Sequence, residues 1–175
     1  MPQPHLVLVG MPGSGKSSVA RRVARASGRR PVDVDAEIER EAGRPIPEIF
    51  ATDGEAGFRD LETQVLRAVL ESDEPAVIAT GGGAVLRAEN RAAMRSHGVV
   101  VWLRATPETL LARVGDGSSR PLLAGDPLGN LARLAAERGD AYADAAHQVV
   151  DVDRLRFDEI TRRVQAAAEV GAERC

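Results

Sequence analysis

Cysteine, lysine and long apolar stretches are nearly absent from this sequence of 175 residues. The one cysteine, Cys175, excludes an intrachain disulfide and a cysteine-based metal site. No stretch approaches the length of a membrane span, and no charged region precedes the short apolar run near the N-terminus. The net charge of −3 lacks the basic excess of a nucleic-acid-binding surface. We therefore expect a cytoplasmic protein without nucleic-acid or membrane partners.

Arginine takes the place of lysine almost throughout the chain. Arginine supplies 22 of the 23 basic residues, and Lys16 is the only lysine. The planar guanidinium of arginine can replace lysine at most solvated positions, whereas a tight phosphate-binding loop accommodates the compact ammonium. Chance placement of a single residue is the alternative explanation.

The stretch around Lys16 is a P-loop. The sequence LVLVGMPGSGKSS, residues 6–18, satisfies G-x-x-x-x-G-K-[ST], with an apolar run before it and a helical pattern after it. Glycines let backbone N–H groups approach phosphate oxygens closely, and the helix N-terminus adds positive charge. We expect Lys16 to reach the β- and γ-phosphates and the Ser17 hydroxyl to bind Mg²⁺. The candidate nucleotide-binding residues of the loop are Gly13, Ser14, Gly15, Lys16, Ser17 and Ser18.

The rest of the chain alternates short apolar runs with helical patterns, which predicts one α/β domain. The apolar runs are typical of strands buried on both faces of a parallel sheet. The predicted strands cover residues 6–9, 31–35, 76–80, 99–104 and 148–151. The predicted helices cover residues 16–27, 53–72, 87–97, 107–114, 128–145 and 157–168. Helices on both faces of such a sheet form a three-layer sandwich, with ligands at the carboxyl ends of the strands.

Three local features refine this picture. Thr52 and Glu55 match a capping box at the start of the second long helix, which leaves Arg59 and Glu62 on a face available to a cleft. Residues 36–51 predict short helices with a break at 43–47, within a substrate-binding subdomain of about 36–64. Residues 115–129, rich in small residues and containing Arg120, predict a lid that closes on phosphate.

Four further constellations accompany the P-loop. Asp33-Val34-Asp35 ends the second predicted strand, and Phe58-Arg59 lies in the second long helix. The triplet Gly81–Gly83 ends the third strand, and Arg120-Pro121-Leu122 lies in the predicted lid. In this order the motifs resemble the shikimate kinase family, over residues 6 to about 163. The resemblance implies transfer of the ATP γ-phosphoryl group to the 3-hydroxyl of shikimate. It also implies a five-stranded parallel sheet in the order 2-3-1-4-5.

The resemblance also implies roles for individual residues. The implied shikimate-binding residues are Asp35, Arg59, Gly81, Gly82, Gly83 and Arg138. The implied nucleotide-binding residues outside the P-loop are Arg113, Arg120 and Arg154, with Arg156 as an alternative to Arg154. The family usually continues from the carboxylate-binding arginine as R-x-P-L-Y. Here Asp140 and Ala141 replace the proline and leucine, and Arg138 and Tyr142 keep their spacing.

The residues supply the parts that phosphoryl transfer requires: positioning, a metal ion and positive charge around the phosphates. We expect Lys16, Asp35 and Arg120 to be catalytic, and Ser17 and Asp33 to hold Mg²⁺, with ATP as co-substrate. Asp35 lies two residues after Asp33, which in an extended strand places both on one side. From there Asp35 can act on the acceptor hydroxyl as a base or as an orienting group.

Two other functions remain open from the sequence. Another small-molecule kinase of this fold, such as a gluconate kinase, would share the loop, the sheet and an acidic residue after the second strand. A regulatory nucleotide-binding module would lack acceptor-binding arginines. His5, His97 and His147 lack metal-ligand spacing and are expected on the surface or in turns. We expect the chain to act as a monomer.

Overall fold

The computed structural model describes residues 3–114 and 124–173. Within these ranges five parallel strands form one sheet in the order β2-β3-β1-β4-β5. The strands are β1 (His5–Val9), β2 (Arg30–Asp33), β3 (Ala76–Ala79), β4 (Gly98–Arg104) and β5 (Gln148–Asp151). The predicted fold class and strand order are confirmed. Because all strands run in one direction, the loops after them meet at one edge of the sheet.

Helices cover both faces of this sheet. They are α1 (Lys16–Ser27), α2 (Val34–Ala42), α3 (Ile46–Leu70), α4 (Ala88–His97), α5 (Pro107–Val114), α6 (Pro127–Ala145) and α7 (Phe157–Ala172), with a 3₁₀ turn at Ala84–Leu86. None of the helices in the described ranges is long and apolar enough to cross a bilayer.

The alternation of side chains along β1 divides the core into two layers. Val7 and Val9 pack with α2, α3, α4 and α6, whereas Leu6 and Leu8 pack with α1 and α7. All four side chains are at most 1% exposed, so the strand is buried on both faces, as its apolar sequence predicted.

The second strand is shorter than predicted. It ends at Asp33, and Asp35 lies in the first turn of α2 rather than in a strand. Asp33 Oδ1 accepts hydrogen bonds from the backbone N–H groups of Asp35 and Ala36, at 3.1 and 3.3 Å. This side chain therefore caps α2 and ends the strand, so the prediction of two aspartates on one side of an extended strand is wrong.

The start of α3 also differs from the prediction. The expected break is present, because α2 ends before Gly43 and α3 begins at Ile46. The predicted capping box is wrong, because Thr52 lies inside the helix and its hydroxyl donates to the Glu48 carbonyl at 2.9 Å. The helix is interrupted two residues later at Gly54, whose φ of 71° and ψ of 178° are not helical.

His5 is buried rather than exposed, contrary to the prediction. Its side chain lies at the amino end of β1 and is only 5% exposed. The Ala76 backbone N–H points at Nδ1 at 3.1 Å, so Nδ1 is the acceptor, and Nε2–H donates to the Leu70 carbonyl at 3.1 Å. Burial lowers the pKa of this imidazole. The neutral ring therefore joins the end of α3 to the start of β3.

Candidate active site

The loop after β1 forms a phosphate-sized turn around Lys16. The backbone of Gly13 (φ 86°) and Gly15 (φ 95°) adopts left-handed conformations that side chains disfavour. Lys16 begins α1 and is 8% exposed. Its ammonium donates to the carbonyls of Gly10 at 2.8 Å and Met11 at 2.9 Å. The loop therefore places the single ε-ammonium group at the N-terminus of α1, where the helix dipole also favours an anion.

Ser17 and Asp33 form a pair of oxygen donors beside this loop. Ser17 Oγ donates to Asp33 Oδ2 at 2.6 Å, across the gap between the ends of β1 and β2. The described residues contain no cluster of three or more metal-binding side chains. A hydroxyl and one carboxylate nevertheless fit Mg²⁺, which keeps several waters and binds phosphate oxygens in kinase sites. The donor set therefore fits a magnesium ion held mainly by nucleotide phosphates.

A cleft of about 350 Å³ is lined by residues of both the predicted nucleotide site and the predicted acceptor site. It lies at the carboxyl edge of the sheet, where the fold places ligands. Its lining includes Lys16, Ser17, Asp33, Asp35, Gly81, Gly82 and Arg113. Asp35 reaches this cleft from the first turn of α2, so the change from strand to helix keeps it beside the P-loop.

The Gly81–Gly83 turn after β3 is closely surrounded by charged side chains. An added Cβ at Gly81 would lie 2.9 Å from both Asp35 Oδ1 and Glu62 Oε2. At Gly82 it would lie 2.8 Å from Pro12 Cδ and 3.1 Å from Arg138 Nη1, and at Gly83 it would lie 2.5 Å from Arg59 Cζ. Each of these three positions thus contacts a different part of the site, and glycine is needed for this approach rather than for an unusual φ.

Arg59 is fixed by a buried ion pair with Glu62. Both residues lie on α3, where Arg59 Nη1 donates to Glu62 Oε1 at 2.8 Å. Arg59 is 8% exposed and Glu62 is fully buried. Burial raises the pKa of the Glu62 carboxyl, and the Arg59 guanidinium partly offsets this effect. The sequence placed Glu62 on the cleft face without a role, although its spacing of three residues from Arg59 indicated a helical ion pair.

Arg138 and Tyr142 approach the glycine turn from α6. The helix α6 runs unbroken from Pro127 to Ala145, and the two residues lie one turn apart on it. Arg138 is 4% exposed, and the Tyr142 hydroxyl donates to the Gly82 carbonyl at 2.6 Å. Arg59 and Arg138 therefore converge on the same turn from two helices on one side of the sheet.

Two of the arginines predicted to contact the nucleotide, Arg113 and Arg154, lie within the described residues. Arg113, on α5, donates to the Ser14 carbonyl at 3.1 Å. Asp153 Oδ1 accepts from the Thr106 backbone N–H at 3.0 Å and from its hydroxyl at 3.2 Å, which joins the loop after β5 to the start of α5. The neighbouring Arg154 is exposed and has a φ of 60°, the only positive φ of a described non-glycine residue. This role of Asp153 was not predicted, because no local pattern in the sequence indicates a contact with Thr106, 47 residues away.

Most of the sequence-predicted site residues are therefore brought to one edge of the sheet. Arg120 and residues 115–123 of the expected lid lie outside the described residues. Ser18 follows Ser17 on α1 and lines the same cleft.

Comparison with known proteins agrees with this geometry. The family model described as shikimate kinase matches residues 12–169. A shikimate kinase of Symbiobacterium thermophilum is 47% identical over 173 residues, which cover 97% of this chain and 99% of that protein. The structure is similar to that of a shikimate kinase from Acinetobacter baumannii in complex with shikimate, with a TM-score of 0.88 and 37% identity. The match covers 93% of this chain and 90% of that one.

A gluconokinase from Sinorhizobium meliloti is a more distant structural neighbour. Its TM-score is 0.59 at 22% identity, and the match covers 99% of this chain and 95% of that one. At this level of identity the similarity shows a common fold only.

Proposed function

The chain belongs to the shikimate kinase family, and on that premise we propose that its cleft transfers the γ-phosphoryl group of ATP to the 3-hydroxyl of shikimate. The products are shikimate 3-phosphate and ADP. The observation that carries this proposal is the convergence of Arg59 and Arg138 on the Gly81–Gly83 turn beside Asp35. A carboxylate bearing several hydroxyls needs forked cations and small polar contacts, which this arrangement supplies.

Arg59 and Arg138 bind the shikimate carboxylate in this proposal. Two guanidinium groups can each donate paired hydrogen bonds to a carboxylate, which fixes the orientation of the ring as well as its charge. The ion pair between Arg59 and Glu62 keeps one of the guanidinium groups in place before the acceptor binds. The Gly81–Gly83 turn brings backbone close to the ring where side chains would collide with both arginines.

Lys16 and Asp35 act on the reacting groups. Asp35 orients the 3-hydroxyl and accepts its proton while the new bond forms between that oxygen and the γ-phosphorus. The bond from the γ-phosphorus to the bridging oxygen of ADP breaks, and Lys16 with the P-loop amides stabilises the charge on the phosphate oxygens. Ser17 and Asp33 would hold Mg²⁺, which when bound would neutralise negative charge on the phosphates.

Arg113, Arg154 and Arg120 form the nucleotide side of the proposed site. The left-handed conformation of Arg154 costs a side chain about 1 to 2 kcal/mol relative to glycine. Arg156 begins α7 with an ordinary extended backbone, at φ −75° and ψ 154°. We therefore assign the nucleotide contact to Arg154, because a disfavoured backbone conformation at a non-glycine residue points to a functional site.

Two organisational features complete the proposal. Residues of about 36–64, which include most of α2 and most of α3, form the acceptor-binding subdomain. The exposed large apolar side chains of the described residues are Leu86, Leu128, Val149, Phe157 and Val170, each between 40% and 44% exposed. They lie on four elements, and the two that share α7, Phe157 and Val170, are about 20 Å apart along the helix axis. The chain therefore acts as a monomer in this proposal.

An acceptor panel in an ADP-release assay tests the proposed function. The panel contains shikimate, gluconate and a water-only reaction at fixed MgATP. We expect turnover with shikimate that exceeds turnover with gluconate by orders of magnitude. Preferred turnover of gluconate would replace shikimate with a sugar acid as the substrate. ATP binding without turnover of any acceptor would show a regulatory nucleotide-binding module.

A further inference from the structure

We infer that the Tyr142 hydroxyl is a positioning group that sets the relative placement of Arg138 and the Gly81–Gly83 turn for acceptor binding. The inference rests on the proposed function and adds a residue to its acceptor site. Tyr142 is the only tyrosine of the chain, and it is 1% exposed. A side chain this deeply buried acts on the acceptor through its neighbours.

The first contact of the hydroxyl is with the turn itself. Tyr142 Oη donates to the Gly82 carbonyl at 2.6 Å, across 60 residues of sequence. A trans peptide holds its carbonyl and the next N–H in opposite directions. The hydrogen bond therefore also fixes the direction of the Gly83 N–H, one of the backbone groups of the turn. Burial raises the pKa of Tyr142 to about 12, so the hydroxyl remains a donor at any pH of enzyme assay.

The second contact is with Arg138. Arg138 and Tyr142 lie one turn apart on α6, so the hydroxyl oxygen, whose proton is used by Gly82, can accept from the guanidinium group with its lone pairs. Arg138 Nη1 in turn approaches within 3.1 Å of the Cβ position of Gly82. One hydroxyl thus connects the backbone turn that lies beside the acceptor ring to the helix that carries Arg138, which binds the acceptor carboxylate.

The ring of Tyr142 is held independently of its hydroxyl. It stacks on Trp102 of β4, with ring centroids 5.4 Å apart and an interplanar angle of 27°. Because α6 is unbroken by proline, Tyr142 and Arg138 are also held at a fixed helical spacing. Removal of the oxygen atom alone should therefore leave the packing in place and release the two groups that it joins.

Tyr142→Phe is the direct test. We expect the KM for shikimate to rise about tenfold, with the KM for MgATP unchanged within twofold. In an Arg138→Gln background the same substitution should raise the KM for shikimate by clearly less than tenfold, because one of the two groups that Tyr142 places is already lost. An undiminished effect in that background would contradict the placement of Arg138 by Tyr142. Thr161→Val is the matched control, because it removes a buried hydroxyl that donates to the Phe157 carbonyl at 2.9 Å, away from the site.

Three outcomes would overturn the inference: an unchanged KM for shikimate, a parallel rise in both KM values, or an equal effect of Thr161→Val. Failure of the wild-type protein to phosphorylate shikimate would instead contradict the proposed function. A spectroscopic arm uses the wild-type sequence labelled with 3-fluorotyrosine at its single tyrosine. We expect its fluorine resonance to shift when shikimate is added and to stay in place with ADP alone. A fluorine chemical shift that does not change when shikimate is added to active enzyme would also overturn the inference.

Discussion

Replacement of Gly83 with alanine should weaken shikimate binding without unfolding the protein. The backbone of Gly83 has φ −97° and ψ 2°, which alanine can adopt without strain. The new methyl carbon would lie 2.5 Å from Arg59 Cζ, whereas carbon atoms in contact are about 3.5 Å apart. The guanidinium group must therefore move by about 1 Å. The substitution tests whether the glycine turn exists for the acceptor site or only for a tight connection.

The size of the effect follows from the contact that is lost. A hydrogen bond to a charged group contributes about 1.5 to 3 kcal/mol, which corresponds to about 10- to 100-fold in affinity. We expect a rise of that size in the KM for shikimate, measured by ADP release at saturating MgATP. The KM for MgATP should stay within twofold, because the cleft lining around Lys16 and Ser17 includes neither Arg59 nor Gly83.

Gly139→Ala is the matched control for this experiment. A Cβ at Gly139 would meet no atom within 4 Å, so the same substitution has no steric effect there. A second check uses an Arg59→Ala background, in which Gly83→Ala should have little further effect on the KM for shikimate. The reasoning is refuted if Gly83→Ala lowers the unfolding midpoint while the KM for shikimate remains unchanged.

Four further predictions concern other parts of the molecule. Lys16→Met and Lys16→Arg should both abolish phosphoryl transfer, measured by ADP release, with the circular-dichroism spectrum unchanged; activity within a few-fold of wild type would contradict this. Asp35→Asn should lower kcat by about 10²- to 10⁴-fold, and added magnesium should not restore activity. Asp33→Asn should raise the magnesium concentration that turnover requires, and the asparagine should still cap α2. Restoration of Asp35→Asn activity by magnesium would show that the two roles are reversed. Gly139→Ala should raise the free energy of unfolding by about 1 kcal/mol in urea titrations, because alanine favours the helix interior; a loss of stability would contradict this. Burial lowers the pKa of His5, so the unfolded chain binds the proton more tightly than the folded protein does. The free energy of unfolding should therefore fall as the pH decreases below about 6.5, and His5→Gln should reduce this pH dependence.

Much of the fold follows from local sequence signals. Glycines and a proline set the P-loop and the limits of α1 and α5, and continuous apolar runs predict the strands of the parallel sheet. These signals act within a few residues. The order of the strands in the sheet was predicted from the family resemblance. The aspartates after β2 show the limit of this reasoning, because two residues at a strand end can equally begin a helix. The cap formed by Asp33 decides between these conformations.

Side chains paired across long sequence distances could not be predicted in this way. The environment of His5 depends on Leu70 and Ala76, which come from the end of one helix and the start of another strand. The contact of Tyr142 with Gly82 likewise requires the packing of α6 against the sheet. A histidine in an apolar run gives the same local pattern whether its ring is solvated or hydrogen-bonded in the core.

The position of Lys16 also makes the chain unusually resistant to one class of protease. A lysine-specific endoprotease has a single target, the bond between Lys16 and Ser17, because the chain contains no other lysine. That bond lies at the start of α1, and the ammonium that the protease must bind is hydrogen-bonded to Gly10 and Met11. Cleavage therefore requires the loop to open first. The rate of this one cut measures how often the phosphate-binding loop unfolds, and nucleotide that occupies the loop should slow it.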